Sequence, residues 1–197
     1  MLGFFCDDVY LTGWWFGITL ADRDRNLLES IKKELDSNHS FRYIKKHNTW
    51  EFRVERRSMA KDLMNLGIER NKSLTIDLSK IVQQANITDE LLPYFLLGYF
   101  DGDGGIYVCM GANGKTKQYT MSITGTMETC IYLKSLFNDV GFIKKRRKDL
   151  DSNNYTYTIS GRNLVCNILD VLYENKPKFF LDRKYQKYLE AKSPATK

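Results

Sequence analysis

Leu91-Leu92-Pro93-Tyr94-Phe95-Leu96-Leu97-Gly98-Tyr99-Phe100-Asp101-Gly102-Asp103-Gly104-Gly105 lies near the middle of a 197-residue chain and reads as an apolar helix that stops abruptly in acid and glycine. Thr88 or Asp89 is expected to cap its start, and Pro93 fits a first turn, where no intrahelical donor is lost. Gly104 and Gly105 end the helix before the strand-like Ile106-Tyr107-Val108. Gly98 and Gly102 are four residues apart. They share one helical face, where missing side chains let a second helix come close. Asp103 then stands at the negative end of the helix macrodipole, a place that disfavours a carboxylate unless a cation offsets it.

Turn chemistry alone would explain one such stretch. The chain, however, opens with a shortened copy, Leu2-Gly3-Phe4-Phe5-Cys6-Asp7-Asp8-Val9-Tyr10, in which Gly3 falls on Gly98 and Asp8 on Asp103. The pair resembles the LAGLIDADG family of homing endonucleases in its two-motif, single-chain form. The central copy matches closely. The first is degenerate, with Cys6 in the place of Asp101, Asp7 for Gly102 and Val9 for Gly104, and Met1 falls inside the motif helix, so that about two turns of it are missing. Asp8 is therefore expected to be held less firmly than Asp103, which would slow the cutting of one strand.

Composition sets the outer limits. With 43% apolar and 13% aromatic residues the chain can build a packed core in one large or two small domains. No run approaches the ~18 to 20 apolar residues of a membrane span, and the opening lacks the flank and length of a signal peptide. No membrane partner is expected, and the protein should act where it is made: the cytoplasm for a bacterial or phage gene, otherwise the organelle that encodes it. Cys6, Cys109, Cys130 and Cys166 are scattered without CxxC spacing and are read as reduced, buried thiols rather than a zinc site. The formal charge is only +6, but Lys144-Lys145-Arg146-Arg147-Lys148 gathers five cations in five residues, a pattern that points to phosphate contacts.

Two halves emerge from the order of elements. After Asp8, a Thr12-Gly13 turn joins two strands, Asp22 caps an amphipathic helix over 22–36, Phe41 to Ile44 and Trp50 to Val54 form a hairpin, and Ser58 to Leu66 a short helix. The second half repeats this. A strand from Ile106, a turn at Asn113-Gly114, a strand from Tyr119 to Ile123 and a helix from Thr126 to Val140 precede a hairpin of Phe142 to Lys148 and Tyr155 to Ser160, then helices over 162–173 and 178–191. The reading is an α+β fold of two pseudo-symmetric αββαββα halves, residues 1–68 and 88–197, joined by a polar linker over 69–87 and packed through helices that touch at Gly3, Gly98 and Gly102. The resemblance covers nearly the whole chain and implies that the sheets form a saddle for DNA.

A duplex major groove admits strand ribbons, and period-2 alternation leaves one face of each sheet for it. The residues expected to bind DNA are Arg42, Lys45, Arg53, Lys115, Lys117, Tyr119, Lys144, Lys145, Arg146, Tyr155 and Tyr157, with Tyr10, Trp14 and Tyr107 as further aromatic candidates. Asp8 and Asp103, brought together, would hold a divalent ion such as Mg2+, for which Mn2+ can substitute, and the ion supports phosphodiester hydrolysis. By resemblance alone, Lys72 and Lys184 are the catalytic lysines beside that centre. The expected activity is site-specific cleavage of a long double-stranded DNA target by a monomeric, intron-encoded enzyme. The alternatives on the same fold are an intron RNA maturase and a decayed protein that binds DNA without cutting.

Overall fold

The computed structural model describes residues 1–68, 75–111, 114, 117–146, 152–174 and 177–193, without the side chains of Asp7 and Asp8. Its first half runs α1 (Leu2–Asp8), β1 (Val9–Leu11), β2 (Phe16–Ala21), α2 (Arg25–Glu34), β3 (Phe41–Ile44), β4 (Thr49–Val54) and α3 (Arg57–Asn65). After α4 (Leu78–Gln84) the second half follows with α5 (Leu92–Asp103), β5 (Gly104–Met110), β6 (Lys117–Gly125), α6 (Met127–Leu136), β7 (Phe142–Lys145), β8 (Tyr155–Ser160), α7 (Arg162–Tyr173) and α8 (Asp182–Lys192). Each half contributes one antiparallel sheet, ordered β1-β2-β4-β3 and β5-β6-β8-β7.

Alternation explains both sheets. In the first, Val9, Ile18, Phe52 and Phe41 stand opposite one another on successive strands, and the same parity carries Phe16 and Val54 into the core. In the second, Met121 faces Ile159 and Ile123 faces Tyr157, again on the buried side. Helices α2, α6 and α7 cover these faces. Leu27, Leu28 and Ile31 supply the apolar stripe of α2, and Val165, Ile168, Leu169 and Leu172 that of α7. Each such side chain taken out of water contributes about 1.5 to 3 kcal/mol.

Three local expectations change. Leu91, not Thr88 or Asp89, is the N-cap of α5, and it has no side-chain cap bond; the Thr88 carbonyl instead accepts from the Leu91 and Leu92 amides in a preceding turn. Asp22 does not cap α2 but accepts from Trp50 Nε1 at 2.6 Å, because a short 3-10 turn over Asp22–Asp24 moves the helix start to Arg25. The segment read as linker contains α4, whose N-cap Asp77 accepts from the Ser79 and Lys80 amides. Ile76, Leu78 and Ile81 are buried, and the Ile76 carbonyl accepts from Thr126 Oγ1 at 2.6 Å and Thr129 Oγ1 at 3.0 Å. Three apolar residues among polar ones are enough to dock a helix of about two turns, but too few to reveal its period in the sequence. The expected Asn113-Gly114 turn lies outside the described residues except for Gly114, which has φ +63°.

The halves are joined along α1 and α5. A Cβ on Gly98 would lie 2.7 Å from the Phe4 amide nitrogen, and one on Gly3 would run into the Phe95 carbonyl, so the two backbones touch with no room for a side chain. A second clasp links α2 to α8 and the segment before it: at the start of α2, Arg183 Nε donates to both carboxylate oxygens of buried Asp24, at 3.0 and 3.1 Å, and at its end Glu34 pairs with Lys178.

Candidate active site and nucleic-acid interface

Both motif helices end in an aspartate five residues beyond the glycine at which they touch, and a strand begins at once, β1 at Val9 and β5 at Gly104. The equal offset, about 7.5 Å along each helix, brings the ends of α1 and α5 out on the same construction. Asp103 is partly exposed there. Behind it, Asp101 is 2% exposed, and its Oδ2 accepts from the Leu181 amide at 2.9 Å. Burial pushes the Asp101 carboxyl up to about 7 against the opposing charge of Lys184 and the Leu181 N–H.

Lys184 is itself buried, with Nζ donating to the carbonyls of Phe100 at 2.6 Å and Asp101 at 2.7 Å. Those are last-turn carbonyls of α5. An ammonium group placed on them supplies positive charge at the negative end of the macrodipole, close to where the helix delivers Asp103. Part of the compensation that the sequence assigned to a bound cation thus comes from this lysine.

The solvent-facing sides of the two sheets differ in kind. On the first, Tyr10, Gly17 and Arg53 stand opposite one another, as do Thr19, Glu51 and Arg42. Tyr10 lies flat over Gly17, where a Cβ would collide with its ring, and its hydroxyl donates to Glu51 Oε1 at 2.5 Å. Glu51 also takes Arg53 Nε at 3.0 Å and Nη2 at 3.3 Å, and Arg42 Nη1 stands 3.7 Å away. Burial opposes ionisation of Glu51, but the bonds from Tyr10 and Arg53 outweigh it and hold its pKa below the usual carboxylate value; burial and the same bond push Tyr10 up to about 12. On the second sheet the corresponding rows are Tyr107, Thr120 and Ser160; Ser122, Thr158 and Phe142; and Thr124, Thr156 and Lys144. Seven hydroxyls there replace the ion network.

Known structures share this arrangement. The I-LtrWI LAGLIDADG homing endonuclease bound to target DNA superposes with a TM-score of 0.60 at 13% identity, over 96% of this chain and 88% of that one. The I-SmaMI LAGLIDADG homing endonuclease bound to cleaved DNA gives 0.63 at 16%, over 96% and 85%, and the LAGLIDADG meganuclease I-AabMI bound to uncleaved DNA 0.62 at 18%, over 96% and 87%. The fold is that of the LAGLIDADG homing endonucleases. I-SmaMI is also known bound to an uncleaved target in the presence of calcium ions, and as a variant in which two lysines are replaced by alanine. No protein-family model matches the sequence, and no curated protein sequence is similar to it.

Within the LAGLIDADG frame the expected residues separate clearly. Gly3 and Gly98 lie at the helix contact, and Gly102 is in the last turn of α5, partly exposed. Arg42, Arg53 and Lys144 occupy outward positions, Lys45 is exposed in the turn between β3 and β4, and Arg146 is exposed at the end of β7. Tyr119 and Tyr157 are not on the outer face of the sheet: they are 3% and 1% exposed, and Tyr157 donates to the Val140 carbonyl at 2.7 Å. A one-residue error in parity produced that expectation, since their neighbours Thr120 and Thr158 take the outward places. Tyr155 and Lys145 share the inward parity at the sheet edge, with the Lys145 ammonium 5.7 Å from the Tyr155 ring. Lys117 is drawn to the helix side by Glu190 of α8, 2.5 Å away. Lys72, Lys115, Arg147 and Lys148 lie outside the described residues.

Cys6 and Cys130 are buried as expected, whereas Cys109 is exposed and Cys166 half-buried; all four are free thiols. Burial pushes Cys130 up to about 12. Glu51 and Trp15 were missed. The signal was present, because Glu51 sits two residues before Arg53 on one strand and so shares its face. Among the described residues no helix is long and apolar enough to cross a membrane, and no group of three or more His, Cys, Asp or Glu side chains is placed to hold a metal ion.

Proposed function

We propose that the chain is a LAGLIDADG homing endonuclease that lays its two sheets along a long duplex DNA target and hydrolyses phosphodiester bonds beneath the paired helix ends. The observation that carries this reading is the glycine-to-backbone contact of α1 and α5, with Asp8 and Asp103 at equal distances past it. Two carboxylates are hard oxygen donors, which suit Mg2+ or Mn2+ with waters and phosphate oxygens completing the shell. When bound, the ion supplies an activated water and neutralises charge at the phosphate.

The protein's own part is placement. Lys184 fixes the last turn of α5, and with it the carboxylate of Asp103, through the Phe100 and Asp101 carbonyls, and so acts as a positioning residue as much as a source of positive charge. Asp101 ties the same turn to the segment before α8. Arg42, Arg53 and Lys144 present charge to the groove and backbone, where affinity arises. The enzyme acts as a monomer, because both halves of the site are on one chain, and it works in the compartment of the genome that encodes it.

The test begins with a pool of random-sequence duplexes from which bound molecules are recovered and sequenced. The enriched duplexes are then incubated with Mg2+, with Mn2+ or with a chelator. Cuts at one position on both strands that require the metal are the expected result. Failure to enrich any duplex, or enriched duplexes left intact with either metal, would overturn the proposal.

A further inference from the structure

Among the described residues Glu51 is the only acidic residue in a strand, and it sits at the centre of a face that otherwise offers cations to DNA. A carboxylate in that place repels phosphate, so its presence calls for a role. Its partners define one. Glu51 accepts a hydrogen bond from Arg53 Nη2 on Oε1 and has Arg53 Nε 3.0 Å from Oε2 as an ion pair, and the Arg53 guanidinium carbon lies 4.7 Å from the centre of the Trp15 ring. Trp15 is fixed in turn by an edge-to-face contact with Tyr10, whose hydroxyl closes the circuit back to Glu51. The fork of Arg53 is thereby held on one edge and faced by Trp15, while the opposite edge, with the Nη1 donors, is directed away from Glu51. Arg53 still has about half of its side-chain surface open to solvent.

The geometry points to a base-reading device: Glu51 is a positioning residue that presents the outer edge of Arg53 to the paired acceptors O6 and N7 of a guanine in the major groove. It selects guanine in the part of the target lying under the first sheet. This rests on the reading of the chain as a sequence-specific duplex-binding nuclease. A guanidinium locked before binding loses little freedom on docking, and a two-bond match to guanine is the commonest specific contact that arginine makes. The carboxylate also counts against alternatives, because it penalises drift of Arg53 towards a nearby phosphate, which would leave buried Glu51 with only the Tyr10 hydroxyl and the more distant Arg42 as partners. Among the described residues the second sheet has no counterpart; its hydroxyl rows can donate or accept and so discriminate less between bases.

The experiment compares base preferences of the wild type, Glu51→Gln and Arg53→Lys from one random duplex pool, with folding of each variant checked by thermal unfolding. The wild type should enrich a motif containing a required guanine. Both variants should keep the rest of the motif and lose between roughly five- and a hundredfold of the discrimination at that one position, the range expected for one two-bond contact. Arg53→Lys preserves the charge, so it gives the answer even if Glu51→Gln folds poorly. An unchanged motif in Arg53→Lys, or weakening spread evenly over all positions, would overturn the inference while leaving the nuclease reading intact. A wild type that enriches no motif would overturn both.

Discussion

The two halves share their element order and sheet order, yet equivalent places carry different chemistry. Where the first motif helix has Cys6, the second has Asp101, buried and bonded to the Leu181 amide with Lys184 on the carbonyls beside it. Where the first sheet turns an ion network outward, the second turns threonines and serines. The backbone plan therefore fixes where a strand or helix end lies, and the side chains decide separately what each half does there. One half has the organised face, and the other has the reinforced helix end.

The largest test of this contrast replaces the carboxylates one at a time. Asp103→Asn should abolish cleavage, a loss of about a thousandfold or more given the several kcal/mol that a metal site contributes, while affinity for the enriched duplex stays within a few-fold. Asp8→Asn, assayed alongside on a supercoiled substrate, shows whether the halves are chemically unequal. Different ratios of nicked to linear product from the two variants sharpen the comparison, and identical time courses break it.

Next in size is the helix contact, where the halves should behave alike. Gly98→Ala sets a Cβ against the Phe4 amide, and Gly3→Ala sets one against the Phe95 carbonyl; each should cost about 2 to 4 kcal/mol in a denaturant titration, because backbone must move. Gly13→Ala is the control, since nothing lies within 4 Å of its added carbon, and should change stability by less than about 0.5 kcal/mol.

Much of this was legible in the sequence. The paired glycines, the acids that follow them and the duplicated order of strands all stand in sequence patterns that demand a particular backbone. What was not legible depended on parity or on distant partners. Tyr119 and Tyr157 look like groove-facing aromatics until the register is known, and nothing near Lys184 in the chain announces the Phe100 carbonyl, more than eighty residues earlier. Docking of the 75–84 segment rests on the hydroxyls of Thr126 and Thr129, which a reading of local period cannot find.

A smaller effect isolates Asp101. Its folded pKa, about 7, is above that of an unfolded aspartate, so the folded chain holds the proton more tightly. Stability from this group is complete below the ordinary carboxylate range and is lost as pH rises towards and through about 7, at up to about 1.4 kcal/mol per pH unit. Asp101→Asn, which keeps an acceptor for the Leu181 amide, should flatten the dependence of stability on pH between about 5 and 7. Cys6→Ser, at the equivalent place in the first half, should leave the slope as it is. Equal slopes in wild type and Asp101→Asn would show that the carboxyl ionises freely despite its burial.

The smallest effect concerns the basic run. Lys144 faces outward beside Thr156, whereas Lys145 has the opposite parity beside Tyr155. Lys144→Ala should lower the slope of log affinity against log salt by about 0.9, and Lys145→Ala should barely change it. Equal reductions would mean that both reach phosphate and that strand parity does not govern charge placement at this edge.

The Asp24 to Arg183 clasp has a consequence for how the molecule melts. Asp24 is buried in the first half, and its guanidinium partner comes from the last helix of the second, so opening the second half strands that carboxylate in the interior of the first. Together with the bare backbone contact of Gly3 and Gly98, this makes partial unfolding nearly as costly as complete unfolding. Heat should therefore take the two repeats apart in one cooperative transition, and Arg183→Met, by removing the charge that crosses between them, should widen that transition or split it in two.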